Sequence, residues 1–139
     1  MLRKALIAAL MALAASPVFA AEKEDKGDVG QYVDLQAVGL PIVVNRQLVN
    51  YVFVYVRINL TSGANVARLR EKEPVFRDAL VRAGHRTPFT LASDLGAVDV
   101  PKLTATLKRD AAAIAGPGQI LSVVVTQQAP RRRARTPAA

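Results

Sequence analysis

Residues 48–60 constrain the fold more than any other part of the chain. Their sequence, LVNYVFVYVRINL, is dense in β-branched and aromatic residues, which favour extended backbone. Even-numbered Val and Ile residues alternate with odd-numbered aromatic and polar residues, so one strand face is aliphatic and the other is mixed. We predict a long strand whose aliphatic face packs beneath helices through Val52, Val54, Val56 and Ile58.

Three other segments have strand character. Residues 32–35 alternate weakly, and residues 40–44 form a β-branched run in which Pro41 suits a strand start or an edge. Only residues 45–47 separate this run from the long strand, which predicts an antiparallel hairpin. Residues 119–126 are largely apolar, and we expect them to lie in the sheet interior beside the long strand.

Helical spacing dominates the rest of the chain. Apolar residues recur three or four positions apart through Gly84, and Pro74 interrupts them, which predicts a kink or a second helix beginning there. The next helix has Asp99 as a good N-cap and Pro101 in its first turn, and residues 116–118 (GPG) end it. Because strands and helices do not strictly alternate, we predict an α+β fold. It has a single antiparallel or mixed sheet of about four strands with two or three helices on one face.

Residues 1–20 have the three parts of a cleavable secretory signal. Two basic residues precede an apolar run, and small side chains precede a predicted cut between Ala20 and Ala21. An uncut membrane anchor is the alternative, but the apolar run is shorter than the roughly 20 residues that span a bilayer. We therefore expect the protein to be exported and to act outside the cytoplasm.

Composition divides the remaining chain into three parts. We expect a flexible charged lead-in over residues 21–30, one domain over residues 31–128, and a disordered tail of Arg, Pro and Ala over residues 129–139. Of the 19 basic residues, two lie in the signal and four in the tail, which leaves 13 against 11 acidic residues. The mature chain without its tail is therefore nearly neutral. With no cysteine in the chain, it must be held together by core packing alone.

Basic character is concentrated in the tail, at Arg131, Arg132, Arg133 and Arg135. Export excludes nucleic acid as its partner. Near an anionic membrane surface each arginine contributes about 1 kcal/mol, so a weak contact with lipid headgroups is one interpretation. A solubilising end without a partner is the other.

Few residues suit catalysis. The only histidine, His85, follows Gly84 near a predicted helix end, where a hydrogen bond to the helix is favoured over a catalytic role. No nucleotide or metal motif occurs in the sequence, and we expect no enzymatic activity, cofactor or metal.

Charged residues cluster around Pro74. Glu73 with Arg77, and Asp78 with Arg82, have the i, i+4 spacing of exposed ion pairs. A solvated stripe is the simpler interpretation, and docking of a partner is the alternative. The candidate docking face consists of Arg70, Glu73, Pro74, Arg77 and Asp78.

Between about Tyr32 and Gln127 the chain resembles the periplasmic domain of the flagellar basal-body-associated FliL family. The resemblance rests on residues 32–35, 51–60 and 70–80 and on the last strand. Its most specific part is the Glu-Pro step at residues 73–74, followed by Arg-Asp-Ala at residues 77–79. It implies a stomatin-like domain that assembles into a ring around motor stators without enzymatic activity. Family members usually keep an uncut membrane helix and end near the last strand, whereas this chain has a cleavable signal and a basic tail.

The leading hypothesis is a non-enzymatic periplasmic protein that self-associates and binds the flagellar motor, its stator or another inner-membrane complex, supporting motility. The alternative is a periplasmic binding module for an anionic ligand, using Arg57, Arg68, Arg86 or the tail. An assembly protein should present a strand edge or helix face to its own copies, whereas a ligand binder should have a concave pocket with convergent polar groups.

Overall fold

A computed structural model describes residues 30–131. The signal with its Ala20–Ala21 cleavage position, most of the lead-in and residues 132–139 lie outside this range. The strands are β1 (Tyr32–Asp34), β2 (Val38–Val44), β3 (Gln47–Leu60) and β4 (Ile120–Pro130); the helices are α1 (Val66–Glu71), α2 (Glu73–Arg86) and α3 (Val100–Ala115). One antiparallel sheet of four strands with three helices confirms the predicted α+β class, and the stomatin-like label stays a prediction.

Strand β3 is the centre of the sheet. Its first half pairs with β2 and its end with β1, so β1 and β2 follow one another along the same edge of β3. Leu35 N–H donates to Val56 O at 2.9 Å, which keeps the chain on β3 between these two strands. The other edge of β3 pairs with β4, also antiparallel.

The position of β4 corrects one expectation. Within residues 30–131 it pairs with β3 alone, so it is an edge strand and the prediction of a place in the sheet interior was wrong. Its apolar run has two different environments. Val123 is buried, whereas Leu121 and Val124 are exposed to solvent.

A two-residue turn joins β2 to β3. Asn45 and Arg46 both have positive φ, 50° and 64°. Two consecutive residues with left-handed backbone conformation form a tight turn whose twist matches that of an antiparallel hairpin. The predicted hairpin is confirmed, and Pro41 lies on an edge strand as its missing N–H requires.

The helix boundaries follow the predicted signals. Lys72 separates α1 from α2, and Pro74 occupies the first turn of α2, where no helical hydrogen bond needs its N–H. Asp99 caps α3 by accepting a hydrogen bond from Lys102 N–H, and Gly116 ends it with φ 95°. The break at Pro74 and the cap at Asp99 are thus both confirmed.

The core lies between one sheet face and the helices. The predicted aliphatic face of β3, Val52, Val54, Val56 and Ile58, is buried. It packs in one hydrophobic cluster with residues of the helices, including Leu69, Phe76, Leu80, Leu103 and Leu107. The opposite face of β3 carries Phe53 and Tyr55, each 42% exposed. All three helices therefore cover the same side of the sheet.

Strand β4 extends beyond the domain boundary expected at residue 128. Ala129 lies opposite Phe53 and Pro130 opposite Val52, and Arg131 N–H donates to Tyr51 O at 2.8 Å. Residues 129 and 130, assigned to the tail because they lack apolar patterning, therefore belong to the sheet. Backbone pairing with the long β3 does not depend on that patterning.

Gly84 lies where α2 crosses β2. A Cβ at this position would lie 2.7 Å from Leu40 Cδ2, and Leu40 is fully buried. We expect Gly84→Ala to lower the free energy of unfolding by about 1–3 kcal/mol, because overpacking outweighs the gain in helix propensity. Gly63→Ala is the matched control, since a Cβ there meets no atom within 4 Å. Urea denaturation measures both; equal midpoints for the two variants would contradict the close approach.

Candidate functional site

The candidate docking face surrounds the junction between α1 and α2. Arg70 lies on α1, and the other four residues, Glu73, Pro74, Arg77 and Asp78, lie in the first two turns of α2. Their side chains have different roles. Arg70 and Glu73 form hydrogen bonds to backbone groups at the edge of the sheet, and the other three are exposed to solvent to different degrees.

Arg70 reaches from α1 to the beginning of the sheet. Its Nε donates to Tyr32 O at 3.1 Å, and its guanidinium lies 5.8 Å from the centre of the Tyr32 ring. Arg57 stacks more closely on the same ring, at 3.8 Å. Tyr32 thus links two cationic side chains that are distant in sequence.

Arg57 is already paired with a carboxylate. Its Nε and Nη2 donate to the two oxygens of Asp34 at 2.7 and 3.0 Å. This hydrogen bond raises the pKa of Arg57, which keeps the guanidinium charged. An exposed pair of this kind contributes little to stability, because solvent screens the two charges. Its main effect is to pair Arg57, a candidate anion-binding residue, with a carboxylate of the protein itself.

Glu73 connects the start of α2 to the segment between β1 and β2. Its Oε1 accepts a hydrogen bond from Gln36 N–H at 3.2 Å. Arg77 Nε lies 2.9 Å from the same oxygen, and Arg77 Nη2 donates to Oε2 at 3.3 Å. The Glu73 side chain is only 15% exposed, so this carboxylate is part of the packed structure.

Asp78 and Arg82 form the exposed ion pair that their spacing predicts. Asp78 Oδ2 lies 2.8 Å from Arg82 Nε, and both side chains are more than half exposed. The predicted pair of Glu73 with Arg77 is also present, but its carboxylate is largely buried. The solvated stripe is therefore confirmed for one of the two pairs.

An open groove runs beside the docking face. Pro74, Arg77 and Asp78 line it on the helix side, and residues 37–39 line it on the sheet side. Val75, in the first turn of α2, is 47% exposed. The sequence analysis did not single out Val75. Because Val75 lies outside the apolar stripe of α2, its exposure could have been predicted from the sequence.

The three arginines named as anion ligands lie in separate places. Arg68 Nη2 donates to Ala115 O at 2.8 Å, which satisfies a carbonyl at the end of α3. Arg86 lines a second groove, between α2 and α3, together with Lys102 and Arg109. Threonine hydroxyls also line this groove, as does the carboxylate of Asp110. Arg86 thus shares a groove with two other cations.

The sequence analysis missed Lys102 and Arg109. They lie seven residues apart on α3, a spacing that places them on one helix face. That periodicity was visible in the sequence. Their proximity to Arg86 was not, because it depends on how α2 packs against α3.

His85 has the structural position that was expected of it. Its Nδ1 lies 2.8 Å from Val81 O, one turn earlier in α2. In the part of the chain that the structure describes, no three His, Cys, Asp or Glu side chains are grouped as metal ligands. None of the helices between residues 30 and 131 is both long and apolar enough to cross a membrane.

When the chain was compared with protein-family models and with curated proteins, no match was found.

Glu73 and Asp78 offer a matched test of the two kinds of ion pair. Each is an acidic residue of α2 with an arginine four positions later. We expect Glu73→Ala to lower the free energy of unfolding by about 1–3 kcal/mol, because it leaves a backbone N–H and a half-buried guanidinium without their acceptor. Asp78→Ala should change it by about 0.5 kcal/mol or less. Urea denaturation of both variants decides; equal losses would refute a structural role for Glu73.

Proposed function

We propose that the protein is a non-enzymatic periplasmic protein resembling FliL that associates with the flagellar basal body or motor and supports motility. The observation that carries this proposal is the surface built by the segment with the most specific resemblance. Pro74 and Asp78 are exposed and line an open groove, and Val75 is exposed next to Pro74 in the same helical turn. A partner in a motor or stator complex would contact this surface.

The backbone of this surface is fixed before any partner arrives. Glu73 bonds to Gln36 N–H, and Pro74 restricts φ at the first turn of α2. A surface that is already ordered loses little conformational entropy on binding. The exposed side chains of Val75 and Asp78 combine apolar contact with charge, as protein interfaces commonly do.

Deletion of the gene tests the proposed role in motility. We expect swimming in soft agar to fall while flagellar filaments, counted by microscopy, remain. This combination separates a role in rotation from a role in assembly. Unchanged swimming of a flagellated deletion strain would overturn the proposed function.

A surface variant tests where the partner binds. We expect complementation with Val75→Asp to restore swimming poorly, because a carboxylate replaces an exposed apolar side chain in the first turn of α2. Ala105→Asp on α3 introduces the same charge at another exposed helical position and should restore swimming fully. Quantitative blotting confirms equal amounts of the two variants. If Val75→Asp also restores swimming, the partner does not bind at this surface.

A second candidate function is binding of an anionic ligand. The groove that contains Arg86, Lys102 and Arg109 favours it, because three cations share that groove with a single carboxylate. We expect short polyphosphate to bind the purified protein in calorimetry and Arg86→Glu to weaken this binding at least tenfold. Arg82→Glu, on the same helix but outside the groove, is the control. Equal binding by both variants would exclude this site.

A further inference from the structure

The two edges of the sheet differ in how they are protected. Unpaired backbone groups on an edge strand are a template for pairing with another chain, and proteins usually block them. The first edge is formed by β1 and β2 and is called the β1–β2 edge. At its β1 end, Arg70 donates to Tyr32 O. A few residues further on, Glu73 accepts the hydrogen bond of Gln36 N–H. These backbone groups are therefore hydrogen-bonded to side chains of α1 and α2 and cannot pair with another strand.

The β2 end of this edge is blocked as well. Pro41 has no N–H to offer. The Thr90 hydroxyl lies 3.0 Å from both the N and the O of Val43 and satisfies both groups. Between the two ends, Gly39 lines the open groove beside α2. The β1–β2 edge is thus blocked at both of its ends.

The outer edge of β4 contrasts with this. Tyr51 O accepts the Arg131 N–H and Tyr55 O accepts the Thr126 hydroxyl, so the odd-numbered residues of β3 direct their backbone groups towards β4. Val124 lies opposite Arg57, so its backbone N–H and C=O groups point towards β3. Its neighbours Val123 and Val125 direct their N–H and C=O groups away from the sheet.

No group in residues 30–131 covers this edge. The hydrogen bonds of the described part of the chain include no partner for the outward N–H or C=O of Val123 and Val125. Residues 121–126 contain no charge and no proline and are rich in valine. Apart from the β-bulges that flank residues 122–125, this part of the edge therefore lacks the usual protective devices, and the exposed side chains of Leu121 and Val124 lie on it.

We propose that β4 pairs antiparallel with β4 of a second copy of this chain, about a two-fold axis at Val124. In this register Val123 of each copy faces Val125 of the other, and their outward groups form four N–H···O hydrogen bonds. Val124 meets Val124 as a pair without backbone hydrogen bonds, in which Cα atoms lie about 4.5 Å apart. The segment is uncharged, so the symmetry brings no like charges together.

The pairing also fits the rest of the fold. A two-fold axis perpendicular to the sheet keeps the helices of both copies on one face and joins the exposed faces that carry Phe53 and Tyr55. Register shifts at Tyr55/Val56 and Asn59/Leu60 place a β-bulge on each side of residues 122–125. The regular part of the edge is therefore short and centred close to the proposed axis.

The inference deepens the proposed function by adding the self-association that the leading hypothesis includes, and it rests on that proposal, but it is tested separately on the purified protein. The chain has no cysteine, so Val124→Cys introduces a unique thiol. A Cα separation of about 4.5 Å lies within the range that a disulfide spans. We expect rapid oxidation of this variant to a covalent dimer.

Thr126→Cys is the matched control on the same strand. Residue 126 is also exposed, but in the proposed register the two copies of it lie about 13 Å apart, since each residue of a strand advances about 3.3 Å. We expect its cross-linking to be at least tenfold slower. Equal rates for the two variants would overturn the proposed register.

Sedimentation tests the association without a cross-link. We expect the wild-type protein to form a dimer that Val124→Lys dissociates, because two like charges would then lie directly opposite each other. Val124→Thr keeps a β-branched neutral side chain and should leave the dimer intact. A monomeric wild-type protein, or a dimer unaffected by Val124→Lys, would overturn the inference. If the protein is a monomer but deletion of its gene still stops swimming, the inference fails and the proposed function stands. If the protein is a dimer but deletion of its gene leaves swimming unchanged, the proposed function fails and the inference stands.

Discussion

The alternation of side chains along β3 is the constraint on which the rest of the structure depends. Its aliphatic face forms the floor of the core, and the helices of residues 30–131 all pack on that side. Its length allows β1 and β2 to share one edge while β4 occupies the other. A one-residue shift in register would exchange the buried valines for Phe53 and Tyr55 and expose the core. With no disulfide available, this pattern has to specify the fold by itself.

Features that depend on neighbouring residues could be predicted from the sequence. The hairpin before β3, the helix break at Pro74 and the cap at Asp99 each follow from a few adjacent side chains. The edge position of β4 could not be predicted, because it depends on β1 and β2 both pairing with the opposite side of β3. The extension of β4 to Pro130 was missed for a related reason: backbone pairing there needs no apolar pattern in the sequence.

The candidate docking face shows the same limit at the level of single residues. The sequence located the charges around Pro74 but not what each one contacts. Arg70 and Glu73 bond to backbone groups of Tyr32 and Gln36, more than 30 positions away in the chain. Both residues therefore have a clear reason within the fold. The exposed side chains of Val75 and Asp78 make no such contact and bear more directly on the choice of a partner.

The unequal edges also determine what kind of assembly the fold permits. If both edges were open, each added copy would present a new edge and the sheet would grow without limit. Here the β1–β2 edge is blocked at both ends by Arg70, Glu73, Pro41 and Thr90, whereas residues 122–125 of β4 form a continuous unpaired edge within the described sheet. Pairing of β4 with β4 uses the same surface on both copies and leaves only the β1–β2 edges outside, whose ends are blocked, so we expect strand pairing to end at two copies. A larger ring of the kind implied by the FliL resemblance would need a second contact, and the exposed junction of α1 and α2 lies free of the paired edge to provide one.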